Sequence, residues 1–301
     1  MLKPIHFPKP VKLMGYHHAP IYKGPIKDEV PVGDTPSCFP GAWYRKVVSS
    51  QDSWLGIEAT VTLPDFELDQ NRYDQTKEKF LDNPSVYFGG YAGAESDAGL
   101  TWTLVGETAE CLKPSKESLA FRPFWRYIHG EQNTWENSDY RHPEHYYLPG
   151  DKLRISVFSP KPDYLQMQIE VLEKTTIPKY VERRKSWRIE NDAPTHFITP
   201  PFPSIGHGGK HAEFKRVNAI DQSGNEGKAA QPTNSQVFEC IWHEVYLYRE
   251  IKGEVVKVPF SRERQIQMAC PSLDAFTIKE DHVDDSLGGE IVAIHPGRTN
   301  N

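Results

Sequence analysis

Residues 53–64 read SWLGIEATVTLP, and their alternation decides the fold. Leu55, Ile57, Ala59, Val61 and Leu63 fall on one side, with Trp54, Gly56, Glu58, Thr60 and Thr62 on the other. A period of two is the signature of a β-strand with one face against a core. Pro64 has no backbone donor and ends the run.

The same period recurs on both sides of this stretch. PSVYFGGYAG (84–93), GLTWTLV (99–105) and LAFRPFWRYI (119–128) all alternate. In the last, Phe121, Pro123, Trp125 and Tyr127 oppose Arg122, Phe124 and Arg126. PGDKLRISVFS (149–159) opens on a turn and is followed by SPKPD and YLQMQIEVL (164–172), which predicts a hairpin over 149–172. EFKRVNAIDQ (213–222), residues 236–249 and VVKV (255–258) add further strands. Helical periodicity is nearly absent. About ten short strands punctuated by Pro, Gly, Asp and Asn predict an all-β fold, an antiparallel β-sandwich of jelly-roll type.

Eight prolines fall within residues 1–40, which therefore read as an extended arm. Residues 41–250 form the sandwich domain in this reading, and residues 251–301 a C-terminal appendage with short strands. The arm either wraps its own domain or links a homo-oligomer.

Composition excludes several classes. The 301 residues carry 35 Lys and Arg against 41 Asp and Glu, a net charge of −6, with no basic stripe, so no nucleic-acid partner is expected. No run approaches the roughly 18 apolar residues of a membrane span, so no membrane partner is expected. MLKPIHFPKPVKLMGYHH contains no apolar leader region, and the four cysteines (Cys38, Cys111, Cys240, Cys270) form no close pair. Both features read as free thiols in a cytoplasmic protein, with a secreted mature form as the alternative.

The order of SWLGIEATVTLP, VYFGGYAG, DAGLTW, FRPFWRYI, PGDKLRISVF and YLQMQIEVL resembles the jelly-roll sandwich of concanavalin A-like lectins and glucanases. It is also similar to the glutamic peptidases (eqolisins). These run through a strand ending near Pro, a Gly-rich W-x-G segment, a Q-x-G strand, an aromatic strand, a P-G-D turn and a final W-I-x-E strand. The resemblance covers residues 53–190. It implies a catalytic Gln and Glu in a secreted, acid-active enzyme. In this chain Asp97 stands at the Gln position, and KSWRIE (185–190) offers Trp187 and Glu190 at the final Trp-to-Glu spacing.

Candidate chemistry centres on carboxylates and aromatics. Glu58 lies on the polar side of the first strand. Glu244 lies among Trp242, Tyr246 and Tyr248, all on one face if the alternation of 236–249 is unbroken. Two carboxyls within about 5–10 Å would suit a glycosidase. Flat rings stack on sugars, so Trp54, Trp125 with Arg126, Trp135, Trp242 and Tyr246 are candidate ligand-binding residues. His142, His145, His207 and His211 lack the geometry of a metal site, and no metal is expected there. Asp221, Asn225 and Glu226 offer oxygens of the kind calcium takes, a weaker reading than a plain turn. No cofactor is otherwise expected. The leading expectation is a lectin-like protein whose partner is a glycan. The alternatives are a hydrolase of the same fold, using Glu58 with Glu244 or Asp97 with Glu190, and a self-assembling structural protein.

Overall fold

The computed structural model describes residues 16–31, 33, 37–104, 119–138, 142–186, 196–209 and 211–297. Cys111, Trp187 and Glu190 lie outside the described residues.

Fourteen principal strands build two antiparallel sheets. They are β1 (Ala42–Ser49), β2 (Trp54–Thr62), β3 (Asp82–Tyr91), β4 (Glu95–Leu104), β5 (Leu119–His129), β6 (Gln132–Asn137) and β7 (Lys152–Phe158). They continue with β8 (Tyr164–Glu173), β9 (Glu213–Gln222), β10 (Gln236–Ile251), β11 (Glu254–Pro259), β12 (Gln265–Cys270), β13 (Phe276–Lys279) and β14 (Glu290–Ile294). A seven-stranded sheet runs β12-β1-β9-β3-β4-β5-β6. The larger sheet runs β8-β7-β2-β10-β14-β13, with β11 also paired to β10 and short two-residue strands at its margins. The all-β sandwich expected from the alternation is the observed architecture. The 149–172 hairpin forms as β7 and β8, with Ile155 opposite Ile169 and Val157 opposite Met167.

The two sheets meet over a core that includes Ile57, Ala59, Val61, Val86, Phe88, Leu100, Phe121, Ile155 and Val245, none more than 1 % exposed. One charged cluster is embedded there. Glu290 of β14 accepts from Arg45 of β1 (Nη2 to Oε2, 2.7 Å) and from Arg216 of β9 (Nη1 to Oε1, 2.7 Å). It therefore ties one sheet to the other. The segment 251–301, expected as an appendage, supplies strands to both sheets.

One helix, α1 (Pro178–Ser186), sits within the mixed basic stretch where no helix was predicted. Proline at a helix start is pre-organised. The helix has almost no apolar stripe, which hid it in the sequence. It docks instead through Tyr180 and through Arg184, which reaches Asp151 of the Pro149-Gly150-Asp151 turn at 2.6 Å. Gly150 holds a left-handed φ of 84° there.

The described residues of the arm pack on the domain that follows them. Ile21 bridges Lys257 of β11 in parallel, Tyr22 N–H donates to the Lys257 carbonyl (2.8 Å), and Lys257 N–H donates to Pro20 (2.9 Å). These bonds cover the open edge of β11, which would otherwise template foreign pairing. Further on, Cys38 and Cys270 form a disulfide, fastening the arm to β12. The free-thiol reading is thus corrected for these two residues, while Cys240 is a buried free thiol whose pKa burial pushes up to about 12. Their separation of 232 residues concealed the pair. Replacing Cys38 and Cys270 with serine is expected to cost about 2–4 kcal/mol, read as a lower unfolding midpoint that matches wild type under reductant.

Candidate functional site

The outward face of the seven-stranded sheet gathers ion pairs and aromatic rings. Strand register defines its floor in transverse rows. One row reads Val48, Lys215, Gly89, Asp97, Arg126 and Trp135 across β1, β9, β3, β4, β5 and β6. The next reads Lys46, Val217, Tyr87, Gly99, Phe124 and Asn137. Side chains alternate along each strand, so these residues share the face opposite the core.

Gly89 explains the first row. A Cβ there would lie 2.5 Å from Lys215 Cε and 2.7 Å from Asp97 Oδ1. Its absence lets Lys215 reach over β3 to Asp97, with Nζ 2.8 Å from Oδ1. Glu95 joins the same ammonium. Burial alone would lower the Lys215 pKa, but the Asp97 and Glu95 charges outweigh it and raise it. The Lys215 ammonium in turn lowers the pKa of Glu95.

Asp221, near the far end of β9, is the second notable carboxyl. It accepts from Ser85 Oγ at 2.6 Å. Burial pushes its pKa up to about 6, the Ser85 hydrogen bond opposes this, and the Asp97 charge adds to the rise. Between the carboxyls lies Tyr87, whose phenol is pushed well up by burial and then by Asp221, Asp97 and Glu95. Arg126 spans the trough to Glu226 (3.0 Å) in the loop after β9. Three strand spacings of about 4.8 Å separate β5 from β9, so this ion pair bridges over the floor.

Aromatics flank the row. Trp135, 47 % exposed, stacks on Phe124 with ring centroids 4.6 Å apart and planes at 7°. The Arg126 guanidinium lies 6.0 Å from the Trp135 ring.

The other candidates fall elsewhere. Trp54 and Trp242 are fully buried in the main core, and Trp125 packs against it beside Phe197. These three are corrected from ligand platforms to packing residues. The physical reason at Trp242 is a bulge: Trp242 faces Val61 whereas Glu244 faces Thr60, so His243 is an extra residue and the alternation breaks. Trp242 turns inward, donating to Asn218 at 2.5 Å, while Glu244 and Tyr246 turn outward. Glu58 and Glu244 do share the outer face of the larger sheet as diagonal neighbours. Yet Glu58 is 3 % exposed and held by Tyr248 O–H, Ser156 Oγ and Lys257 Nζ (3.1 Å). Lys257 also donates to the His17 carbonyl of the arm. Glu244 accepts from Tyr246 O–H (2.9 Å) and Thr60 Oγ1 (3.2 Å), and Tyr246 is 2 % exposed. Glu58 is thus closed off by its own partners, whereas Glu244 is half-buried.

Of the predicted ligand and catalytic residues, Asp97, Arg126 and Trp135 are those the fold brings together on the outer face of the seven-stranded sheet. Glu190, named as the partner of Asp97, lies outside the described residues. Asp221, Asn225 and Glu226 do not converge as calcium ligands: Asn225 caps its own loop, and the two carboxylates bond Ser85 and Arg126. No metal-holding group of three His, Cys, Asp or Glu occurs among the described residues, and no described helix is long and apolar enough to cross a membrane. Sequence reasoning missed Lys215. The available signal was a strand, EFKRVNAIDQ, with two adjacent cations, Lys215 and Arg216, despite its central place.

A separate groove of about 530 Å³ lies on the larger sheet, lined by Phe238, Ile241, Ile291 and Ile177, with Glu239 and Lys279 also on its wall. Those two charges neutralise each other at 2.9 Å, and the groove is remote from the face just described.

No protein-family model matches the chain, and no curated protein matches it. Solved structures do. The chain is similar to scytalido-glutamic peptidase with a transition-state analogue inhibitor, at TM-score 0.47 and 9 % identity over 86 % of this chain and 100 % of that one. The same peptidase with a peptide-based transition-state analogue matches at TM-score 0.44 and 8 % identity, over 84 % of this chain and 98 % of that one. SCP-B, an eqolisin-family peptidase in complex with the tripeptide Ala-Ile-His, matches at TM-score 0.44 and 9 % identity over the same shares. These structural neighbours are glutamic peptidases.

Proposed function

We propose that the protein is a peptide hydrolase that works on an extended chain laid in the trough of the seven-stranded sheet at mildly acidic pH. The observation that carries the reading is the Asp221 carboxyl at about 6, on the same face as Asp97. A carboxyl that burial pushes up can serve as an acid on the same face as a carboxylate that contacts an ammonium. Asp97, with the Lys215 ammonium at 2.8 Å, orients and deprotonates a water. Asp221, six residues along β9 from Lys215 and protonated below about pH 6, is the acid of the same trough, its proton relayed toward the leaving nitrogen through the water that fills it. The proposed dyad differs from the Gln and Glu of the glutamic peptidases: Asp97 stands where the sequence resemblance would put the Gln. The Cys38–Cys270 bond supports a non-reducing compartment for this work, in place of the cytoplasm.

Asp97→Asn tests the reading. Glu95 still neutralises Lys215 in that variant, so the fold is expected to persist. Hydrolysis of a denatured protein at pH 4–6 should fall by about 100-fold or more; unchanged turnover would reject the assignment.

A binding-only role is the second reading, favoured by the exposed Trp135 stacked on Phe124 beside Arg126. Here the ligand presents a face that stacks on the indole, the apolar face of a sugar or an aromatic side chain. Trp135→Ala should then abolish ligand binding while changing stability by less than about 0.5 kcal/mol. Calorimetry on a protein without turnover decides between the two.

A further inference from the structure

We propose that Lys46 binds a carboxylate of the peptide substrate, three to four residues from the bond that is cut. The inference rests on the hydrolytic reading of the trough and adds a specificity element to it.

Lys46 stands on β1, opposite Val217 of β9 and Met268 of β12. Val217 and Met268 belong to a second, outward-facing apolar cluster with Tyr44 and Ala219. The lysine stem therefore rises from an apolar floor. The other cations of the face have partners: Lys215 holds Glu95 and Asp97, Arg126 holds Glu226, and Arg122 donates to the Ser138 carbonyl. Among the described residues Lys46 has neither a hydrogen bond nor an ion pair, and its side chain is half-buried.

A partly desolvated cation gains more from an arriving anion than a solvated one does, because the local dielectric is lower. Lys46 is such a cation, half-buried and without a contacting anion among the described residues. Burial, then the neighbouring Lys215 ammonium, lowers its pKa, while Glu95, Glu213 and Asp97 act in the opposite sense. Those three carboxylates also set the charge of the partner. A dianion such as a phosphate meets their repulsion twice over, whereas a single carboxylate meets it once.

Distance defines the register. Lys46 and Asp97 lie on β1 and β4, three strand spacings apart. At about 4.8 Å per spacing this is roughly 14 Å, the reach of about four extended residues. The carboxylate is thus remote from the scissile amide, and the contact contributes to binding without joining the chemistry. A free C-terminus and an Asp or Glu side chain present the same group.

The test uses the full chain carrying Asp221→Asn, which is silent in turnover by the reading above, so binding is read alone. Fluorescent heptapeptides are titrated at pH 5.5 in four forms: free or amidated C-terminus, crossed with Glu or Gln side chains. Removing the carboxylate that Lys46 uses should weaken binding about tenfold, the worth of one charge-assisted hydrogen bond, and the free or side-chain arm identifies its source. Adding Lys46→Met, which keeps the stem on the apolar floor, should weaken the carboxylate-bearing peptides by the same factor and leave the neutral ones unchanged. Lys46→Arg should restore the difference. Equal affinity for acidic and neutral peptides, or a Lys46→Met variant that keeps the preference, overturns the proposal while leaving the hydrolytic trough intact. Failure of every peptide to bind overturns both.

Discussion

Glu290→Ala is expected to destabilise the protein by about 3–5 kcal/mol, the largest stability effect of any single substitution considered for this fold. The reason is what it leaves behind. Arg45 and Arg216 are 4 % and 2 % exposed, and both bond the Glu290 carboxylate from the facing sheet. Removing the anion strands two guanidinium charges between the sheets. Denaturant unfolding at pH 7 measures the loss. Replacing the whole cluster (Arg45→Met, Arg216→Leu, Glu290→Met) should be close to neutral, because desolvation of all three charges is then avoided. The cluster also gives acid sensitivity. Burial alone would raise the Glu290 pKa, but the two arginines outweigh it and hold it at about 2. A depressed folded-state pKa contributes stability above the unfolded value near 4.5, and that stability, about 3 kcal/mol, is lost as pH falls toward 2.

Asp221→Asn is expected to trade activity for stability. The carboxyl is pushed up from 3.8 to about 6, mainly by burial. A raised folded-state pKa favours the neutral acid, so its contribution is fully present below about pH 4 and is lost as pH rises through 6. Above pH 6 the ionised wild-type side chain therefore costs the fold on the order of 3 kcal/mol relative to a neutral one. The asparagine keeps the shape and the Ser85 contact without the charge. The variant should be more stable than wild type at pH 7–8, equal to it near pH 4, and inactive throughout. Unfolding curves at these two pH values, paired with turnover, check each part. A variant that is less stable at pH 8 would show that Asp221 is a structural anion.

Much of the sandwich was legible because strand alternation is local. Ile57 to Leu63, the 149–172 hairpin and the inward set Phe121, Pro123, Trp125 and Tyr127 all needed nothing beyond a period of two, whereas a bulge at Leu55 turns Trp54 into the core. What the sequence concealed depended on single residues that break that period or on distant partners. His243 inserts one position into β10, so Trp242 and Glu244 point to opposite faces although they are two apart. A glycan site built on both could not survive that inversion. The Lys215–Asp97 pair needs a missing Cβ at Gly89 on the strand between them, a relation among three strands that no spacing reveals. Asp221 was visible as an oxygen donor in a loop-like motif, but its burial beside Ser85 and Tyr87 turned it from a metal ligand candidate into an acid. Cys38 and Cys270 required the path of the arm.

The pH profile of peptide hydrolysis by the full chain, compared with Asp221→Asn, tests the central claim most directly. Cleavage of a denatured protein should be measured from pH 3 to 8 for both. The account predicts wild-type turnover that falls above about pH 6, as Asp221 loses its proton, and no turnover at any pH in the variant. Turnover with the same profile in Asp221→Asn, or none in wild type across the whole range, would contradict it.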